Sequence, residues 1–421
     1  MTTSRPGRST PSATRVGSSP ARHRVGFWIV AITFLLVMAY STVPTPLYPL
    51  YQQRDGFPVS VITVIFAAYA VGVVGSLYFV GHLSDRFGRR RLLVIAVLVS
   101  VVSAVMFLMW AEVPGLIAAR VVNGASIGIL TATATAHLGE LRAVGKPDEN
   151  TIVAASVSGA ANLGGLALGP LIGGLFAEFL PDPLVLPHAV FVVVLLAAAI
   201  ALLLVPETVE APADPPPYRP QRLSVPRAAR APFIAAGFAA FAGFAVFGLF
   251  TSLAPTFLLG TFHAGDHLLA GATAFSVFAA AAVGQILLSP LPLRTQLTIA
   301  AVACAGGLLA VAAGAVLGIL GVFIAGGVVA GLGVGVLFKG AIGTAGRLAD
   351  PQRRGETLAL MFLIAYSGLA LPVLAIGTAL TVVPPTTVLL VFVALVIAAT
   401  VAAAIVMMRQ AKTATQEGTR A

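Results

Sequence analysis

Charge is the scarcest ingredient of this sequence. Only 10% of its 421 residues are Asp, Glu, Lys or Arg, whereas 58% are hydrophobic. An average soluble protein carries about 25% charged residues, so a soluble fold of this length would lack the polar residues to cover its surface. Cysteine occurs once, at Cys304 inside an apolar run, which excludes an intrachain disulfide and leaves the redox compartment open. The six histidines and that cysteine form no cluster with metal-ligand spacing, so no metal is expected. No G-x-x-x-x-G-K-[ST] loop is present, so the chain has no ATP site of its own. Within the apolar runs no nucleophile–base or acid pair converges, which argues against an enzyme and implies no cofactor. No domain is appended that could transmit a signal.

What the chain has in abundance is apolar sequence. Runs of eighteen or more hydrophobic residues recur between Phe27 and Met408, each long enough to cross a hydrocarbon layer about 30 Å thick. Hydropathy places twelve spans at 27–50, 59–80, 92–111, 115–138, 152–178, 188–206, 233–258, 268–289, 297–317, 319–344, 357–380 and 386–408. In lipid every backbone N–H and C=O must find a partner within its own segment, so these spans are helices. The run after the N-terminal stretch is too long for a signal-peptide core and lacks a small-residue cleavage site, so it counts as the first span.

The net charge of +10 does not mark a nucleic-acid binder, because the charges fall in short clusters between spans and build no basic face. They fix direction instead. With twelve spans, 22 of the 25 Lys and Arg residues fall on the side of the two termini, Arg54 falls on the other, and Arg120 and Lys339 lie within spans. The positive-inside rule then places both termini in the cytoplasm. Abundant Arg, Ala and Gly with only three lysines point to the cytoplasmic membrane of a bacterium with a GC-rich genome.

Residues 1–25 read as a disordered cytoplasmic tail, 26–206 as one six-helix half, 207–232 as a Pro-rich cytoplasmic linker, 233–408 as a second half and 409–421 as a second tail. The halves repeat. Residues 121–141 align with 328–348 at an offset of 207, with eight identities in 21, and "GLALGP" from Gly165 recurs as "GLALP" from Gly368. Two offsets near half the chain length, in the same order, indicate parallel repeats.

The loop between the second and third spans reads "GHLSDRFGRRRLL". It resembles the signature loop of the major facilitator superfamily, G-x-L-x-D-R-x-G-R-R, at Gly81, Leu83, Asp85, Arg86, Gly88, Arg89 and Arg90. "LIAARVVNGASIG" in the fourth span resembles the family's L-x-x-x-R-x-x-Q-G, with Arg120, Gly124, and Asn123 in place of Gln. "GGLALGPLIGG" in the fifth is similar to the string G-x-x-x-G-P-x-x-G-G, at Gly165, Gly169, Pro170, Gly173 and Gly174. The resemblance implies an all-α membrane protein of twelve transmembrane helices, two six-helix parallel-repeat halves around a central cavity. It implies that the first loop gates, with Asp85 meeting a helix end of the other half, and that Arg120 and Asn123 serve coupling. The fifth-span string marks exporters that exchange substrate for protons. The expected partners are therefore a small-molecule substrate, protons and the lipid bilayer, with no obligate protein partner.

Two departures qualify this. The loop after the eighth span keeps only Arg294 of the signature. Of the fifteen carboxylates none lies mid-span, whereas Arg120 and Lys339 do. A buried cation needs a partner, and a substrate anion would supply one, so proton-linked or facilitated uptake of an organic anion stands as the alternative to export by proton antiport. Both cations also admit a plainer reading, snorkelling to an interface. The proton site then falls to Asp85, Glu140 or His137, while His82, His188, His263 and His267 read as solvated. Tyr40, Tyr69, Asn162, Gln285 and Tyr366, with Lys339, are the candidate cavity side chains.

Overall fold

The computed structural model describes residues 19–80, 87–147, 149, 152–209, 229–349 and 354–418. Among these residues the elements are helices. The first half comprises Pro20–Thr42 (continued by a 3-10 turn, Thr45–Leu47, and the short helix Tyr48–Asp55), Val59–Phe79, Arg89–Met109, Val113–Gly145, Ile152–Phe179 and Leu186–Leu202. The second comprises Arg230–Gly248 (continued through the π turn Leu249–Leu253 into Ala254–Phe262), His267–Leu287, Leu293–Leu317, Leu320–Leu348, Arg354–Ala379 and Pro385–Gly418. These are the first to twelfth spans below. Eleven are long and apolar enough to cross a membrane. The sixth is a shorter apolar helix of 17 residues, a rise of about 25 Å.

Helix packing repeats between the halves. The first span packs on the fourth, fifth and sixth, as the seventh packs on the tenth, eleventh and twelfth. The second packs on the fourth as the eighth does on the tenth, and the third joins the fourth and sixth as the ninth joins the tenth and twelfth. The halves meet along two seams, fifth against eighth and second against eleventh, and the repeat exchanges these pairs. This is the twelve-helix arrangement of two parallel repeats expected from the sequence.

Several helices run past the hydropathy bounds, because a helix need not stop where the hydrocarbon does. The first begins at Pro20, inside the stretch expected as a tail, with proline near its start where no N–H is missed. Its Arg24 stem packs beside Gly145, where the fourth helix ends well past 138. The last helix runs on to Gly418. Residues 210–228 of the expected linker lie outside the described residues.

Candidate functional site

Prolines build the first part of the site. Pro44, Pro46 and Pro49 end the first helix at Thr42 and turn the chain through the 3-10 segment. The last carbonyls of that helix lose their in-helix partners. One of them, Ser41 O, accepts a hydrogen bond of 2.6 Å from Arg120 Nη1. Arg120 is 1% exposed and therefore does not snorkel. Its guanidinium lies 4.6 Å from the Tyr69 ring centroid and 5.8 Å from that of Phe66. Carbonyl, helix C-terminal dipole and π faces all favour the cation, but no acid pairs with it among the described residues, and Nε has no acceptor. The Tyr69 hydroxyl faces those of Ser41 and Tyr366 yet completes no hydrogen bond.

Arg120 and Tyr69 line a cavity at the centre of the molecule with Phe66 and Thr42 of the first half and Phe244, Phe247, Phe278 and Tyr366 of the second. Its volume is about 30 Å³, room for a single water. Phe247 and Phe278 stack at 4.4 Å, Tyr366 meets Phe244 edge-on at 5.4 Å, and Tyr69 meets Tyr366 across the halves at 6.0 Å.

One helical turn nearer the termini lies a second cavity, of about 500 Å³, between the fifth, eighth and tenth spans. The two are stacked: Leu166 and Phe278 line the central one, Leu163 and Ala282 the larger. Ser156, Gln285, Ser289 and Lys339 give this vestibule its polar wall. Lys339 Nζ donates to Gln285 O at 2.9 Å and Ser289 Oγ at 2.8 Å, both neutral acceptors. At the opposite end the halves are shut. A methyl on Gly174 would lie 2.5 Å from His267 O, one on Gly271 2.2 Å from Pro170 O, and one on Gly377 2.3 Å from Thr63 Oγ1. The Glu178 carboxylate accepts the His267 N–H across the same seam at 3.0 Å. The space between the halves therefore opens toward the termini.

The fifth-span string serves two contacts. Gly165, Gly169 and Gly173, four apart, bring the backbone against Leu35 O, Ala39 O and Val43 O of the first span, while Gly174 and Pro170 face the eighth. Of the signature loop, Gly81, Asp85 and Arg86 lie outside the described residues. Gly88 stands at φ +93° before the third span, and the Glu207 carboxylate accepts the N–H groups of Arg89 (2.8 Å) and Arg90 (3.2 Å) there, an anion on a helix N-terminus. Arg89 pairs with Glu140 at 3.1 Å and Arg90 donates to Val205 O, all within the first half. Thr208 gives its hydroxyl proton to Glu140, so the His137 Nδ1 at 2.9 Å is the donor of its pair.

Several expectations are corrected by placement. Tyr40 belongs to neither the central cavity nor the vestibule: its hydroxyl bonds His188 Nδ1 at 3.1 Å. His188, expected in solvent, is fully buried, with Tyr51 at 3.4 Å on Nε2 and Phe107 stacked at 4.6 Å. The sixth helix starts at Leu186 and brings it inside. Asn123 is buried with neither amide atom partnered and lines neither cavity; nothing in the structure explains its type. Asn162 is half-buried on the fifth span and belongs to neither lining. Gln285 and Lys339 share the vestibule, and Tyr69 and Tyr366 share the centre with Arg120. Sequence reasoning missed the phenylalanine wall, although Phe238, Phe241, Phe244, Phe247 and Phe250 recur every three residues along the seventh span.

Comparison with known proteins agrees with this architecture. Two solved structures superpose over nearly the whole chain. One is a point mutant of the nucleoside transporter NupG, with a TM-score of 0.66, 12% identity, and coverage of 91% of this chain and 99% of that one. The other is a bacterial homologue of the human lysosomal transporter Spinster, in an inward-facing and unoccupied conformation, with a TM-score of 0.66, 16% identity and coverage of 94% and 96%. The arabinose-proton symporter of Bacillus subtilis (strain 168) is 35% identical over 94 residues, a match spanning 22% of this chain and 19% of that relative's length. The family model described as Major Facilitator Superfamily matches residues 29–372. The chain belongs to the major facilitator superfamily of membrane transporters.

Proposed function

We propose that this chain exports a small molecule across the cytoplasmic membrane in exchange for protons, with both termini in the cytoplasm. The observation that carries the reading is the seat of the fifth-span string. Its glycines join the first span on one face and the eighth span of the other half on the next. A helix so placed moves with its own half and forms the seam that must part when the far end opens, and the same string accompanies proton exchange in the exporters it resembles. The vestibule faces the cytoplasm on this reading and receives substrate there. Glu140, bonded to Arg89 and Thr208 at that face, is the proton-bearing group the reading favours.

Proton-linked or facilitated uptake of an organic anion is the second reading. What supports it is the pair of inward-facing cations, Arg120 and Lys339, without a carboxylate within 4.0 Å among the described residues. The short similarity to an arabinose-proton symporter supports co-transport with protons, though arabinose itself is uncharged. Purified protein in liposomes enclosing a pH-sensitive dye separates the two when compounds of each charge are added outside. Substrate and proton moving in opposite senses supports exchange; the same sense supports co-transport. Proton exchange driven only by lipophilic cations contradicts the organic-anion reading and leaves export by proton exchange standing.

A further inference from the structure

We infer that the transported species is a planar aromatic carboxylate, held at two stations: Lys339 in the vestibule, and Arg120 with Tyr69 among the aromatic rings of the central cavity. The inference rests on the reading that a small molecule passes between the halves, and is independent of its direction.

Three observations carry it. The first is unused hydrogen-bonding capacity. Arg120 Nη1 is spent on Ser41 O, but Nε has no acceptor and the Tyr69 hydroxyl has no partner, although both residues are at most 3% exposed. Buried donors left without acceptors are costly, and a guanidinium edge is matched in shape by a carboxylate, which takes two parallel N–H bonds. The charge of the site has the same sign at both stations, so a cation would be repelled at each, while a neutral molecule would leave the guanidinium without its counter-charge.

The second is the wall. Phe244, Phe247, Phe278 and Tyr366 present ring faces and edges from the second half, opposite the Tyr69 ring of the first. Flat apolar bodies fit between such rings in offset or edge-on contacts. Because the two sides belong to different halves, slight parting of the seams widens the cavity from its present 30 Å³ without unfolding either half.

The third is the path. Leu163 and Leu166 on the fifth span, and Ala282 and Phe278 on the eighth, place the vestibule and the centre one turn apart. Among the described residues, Lys339 is tethered only by a carbonyl and a hydroxyl. These bonds hold the ammonium in place but leave its charge unneutralised, so it can hand an anion onward without a competing acid.

The test is equilibrium binding of radiolabelled 2-naphthoate to the purified chain in nanodiscs, against 2-naphthamide, 2-naphthylmethylammonium and hexanoate, with thermal unfolding followed on the same samples. Naphthoate is expected to bind at least about tenfold more tightly than each of the other three, a factor worth ~1.4 kcal/mol. Arg120→Gln is expected to lose at least that factor, Arg120→Lys to recover part of it, and Tyr69→Phe to cost a few-fold. Lys339→Gln is expected to slow association and reduce its salt dependence more than it raises Kd. Folded wild-type protein that fails to bind naphthoate at millimolar concentration overturns the inference. So does folded Arg120→Gln or Arg120→Lys that binds it as wild type does, or an ammonium probe that binds as well. Naphthoate that binds but does not move in liposomes that move other solutes overturns its role as the transported species, whereas a protein that moves no solute at all contradicts the transport reading. Proton-linked movement of other solutes by a protein that ignores naphthoate contradicts the site alone.

Discussion

Arg120 has given up water for one carbonyl, two ring faces and a helix end. An arginine at the centre of a membrane helix costs about 2.5–3.5 kcal/mol on insertion scales, and here no acid offsets it. Replacing a buried charge by an apolar side chain of similar volume is often neutral or stabilising. Arg120→Met is therefore expected to unfold at the wild-type temperature or above it; a fall in stability of several kcal/mol would mean that the guanidinium holds the fold. Glu207 is the opposite case, a charge whose gain is structural. Its carboxylate caps the start of the third span by accepting the Arg89 and Arg90 N–H groups. Glu207→Gln should cost about 0.3–1 kcal/mol of stability, the worth of a charge at a helix terminus, read by thermal unfolding at low salt and shrinking as salt rises.

At the scale of elements, period and charge revealed the spans because lipid leaves a helix no alternative. The glycine string was equally legible, since four-residue spacing can mean only one face of one helix. What composition hides is the partner on that face. A methyl on Gly169 would sit 2.2 Å from Ala39 O, and one on Gly174 2.5 Å from His267 O, but nothing in the string says that the first contact lies within a half and the second between halves. The same blindness put Tyr40 in the cavity and His188 in water. Both side chains are polar near a span end, and only the packing of the first and sixth spans turns them toward each other. Phenylalanine was passed over because one aromatic in a membrane span looks like any other. Two substitutions separate the faces. Gly169→Ala is expected to destabilise by about 1–3 kcal/mol, the usual cost of overpacking, whereas Gly164→Ala, with nothing within 4 Å of its added methyl, should be silent. Gly174→Ala should instead be relieved by parting the halves. In a Cys304→Ser background its effect is expected as faster alkylation of Thr63→Cys, which the eleventh span covers; unchanged alkylation would show that this seam does not gate.

Across the whole molecule, two seams related by the repeat are shut at one end, and the fifth–eighth seam is parted at the other. This asymmetry is one half of an alternating-access cycle. It also makes orientation measurable. In the same background Ser289→Cys, on the vestibule wall, should react with a membrane-impermeant maleimide in inverted vesicles and resist it in intact cells. The reverse pattern would place the termini outside. The carboxylates and Arg residues of the terminal face say how that end is stapled, but the direction of traffic depends on which states bind substrate and proton together. The most direct measurement is the movement of radiolabelled 2-naphthoate in proteoliposomes under an imposed pH gradient, comparing wild type with Arg120→Met of equal thermal stability. Gradient-driven movement by wild type that Arg120→Met loses is the predicted result. Equal movement by both proteins would contradict the account, because the buried cation would then have no part in carrying the substrate.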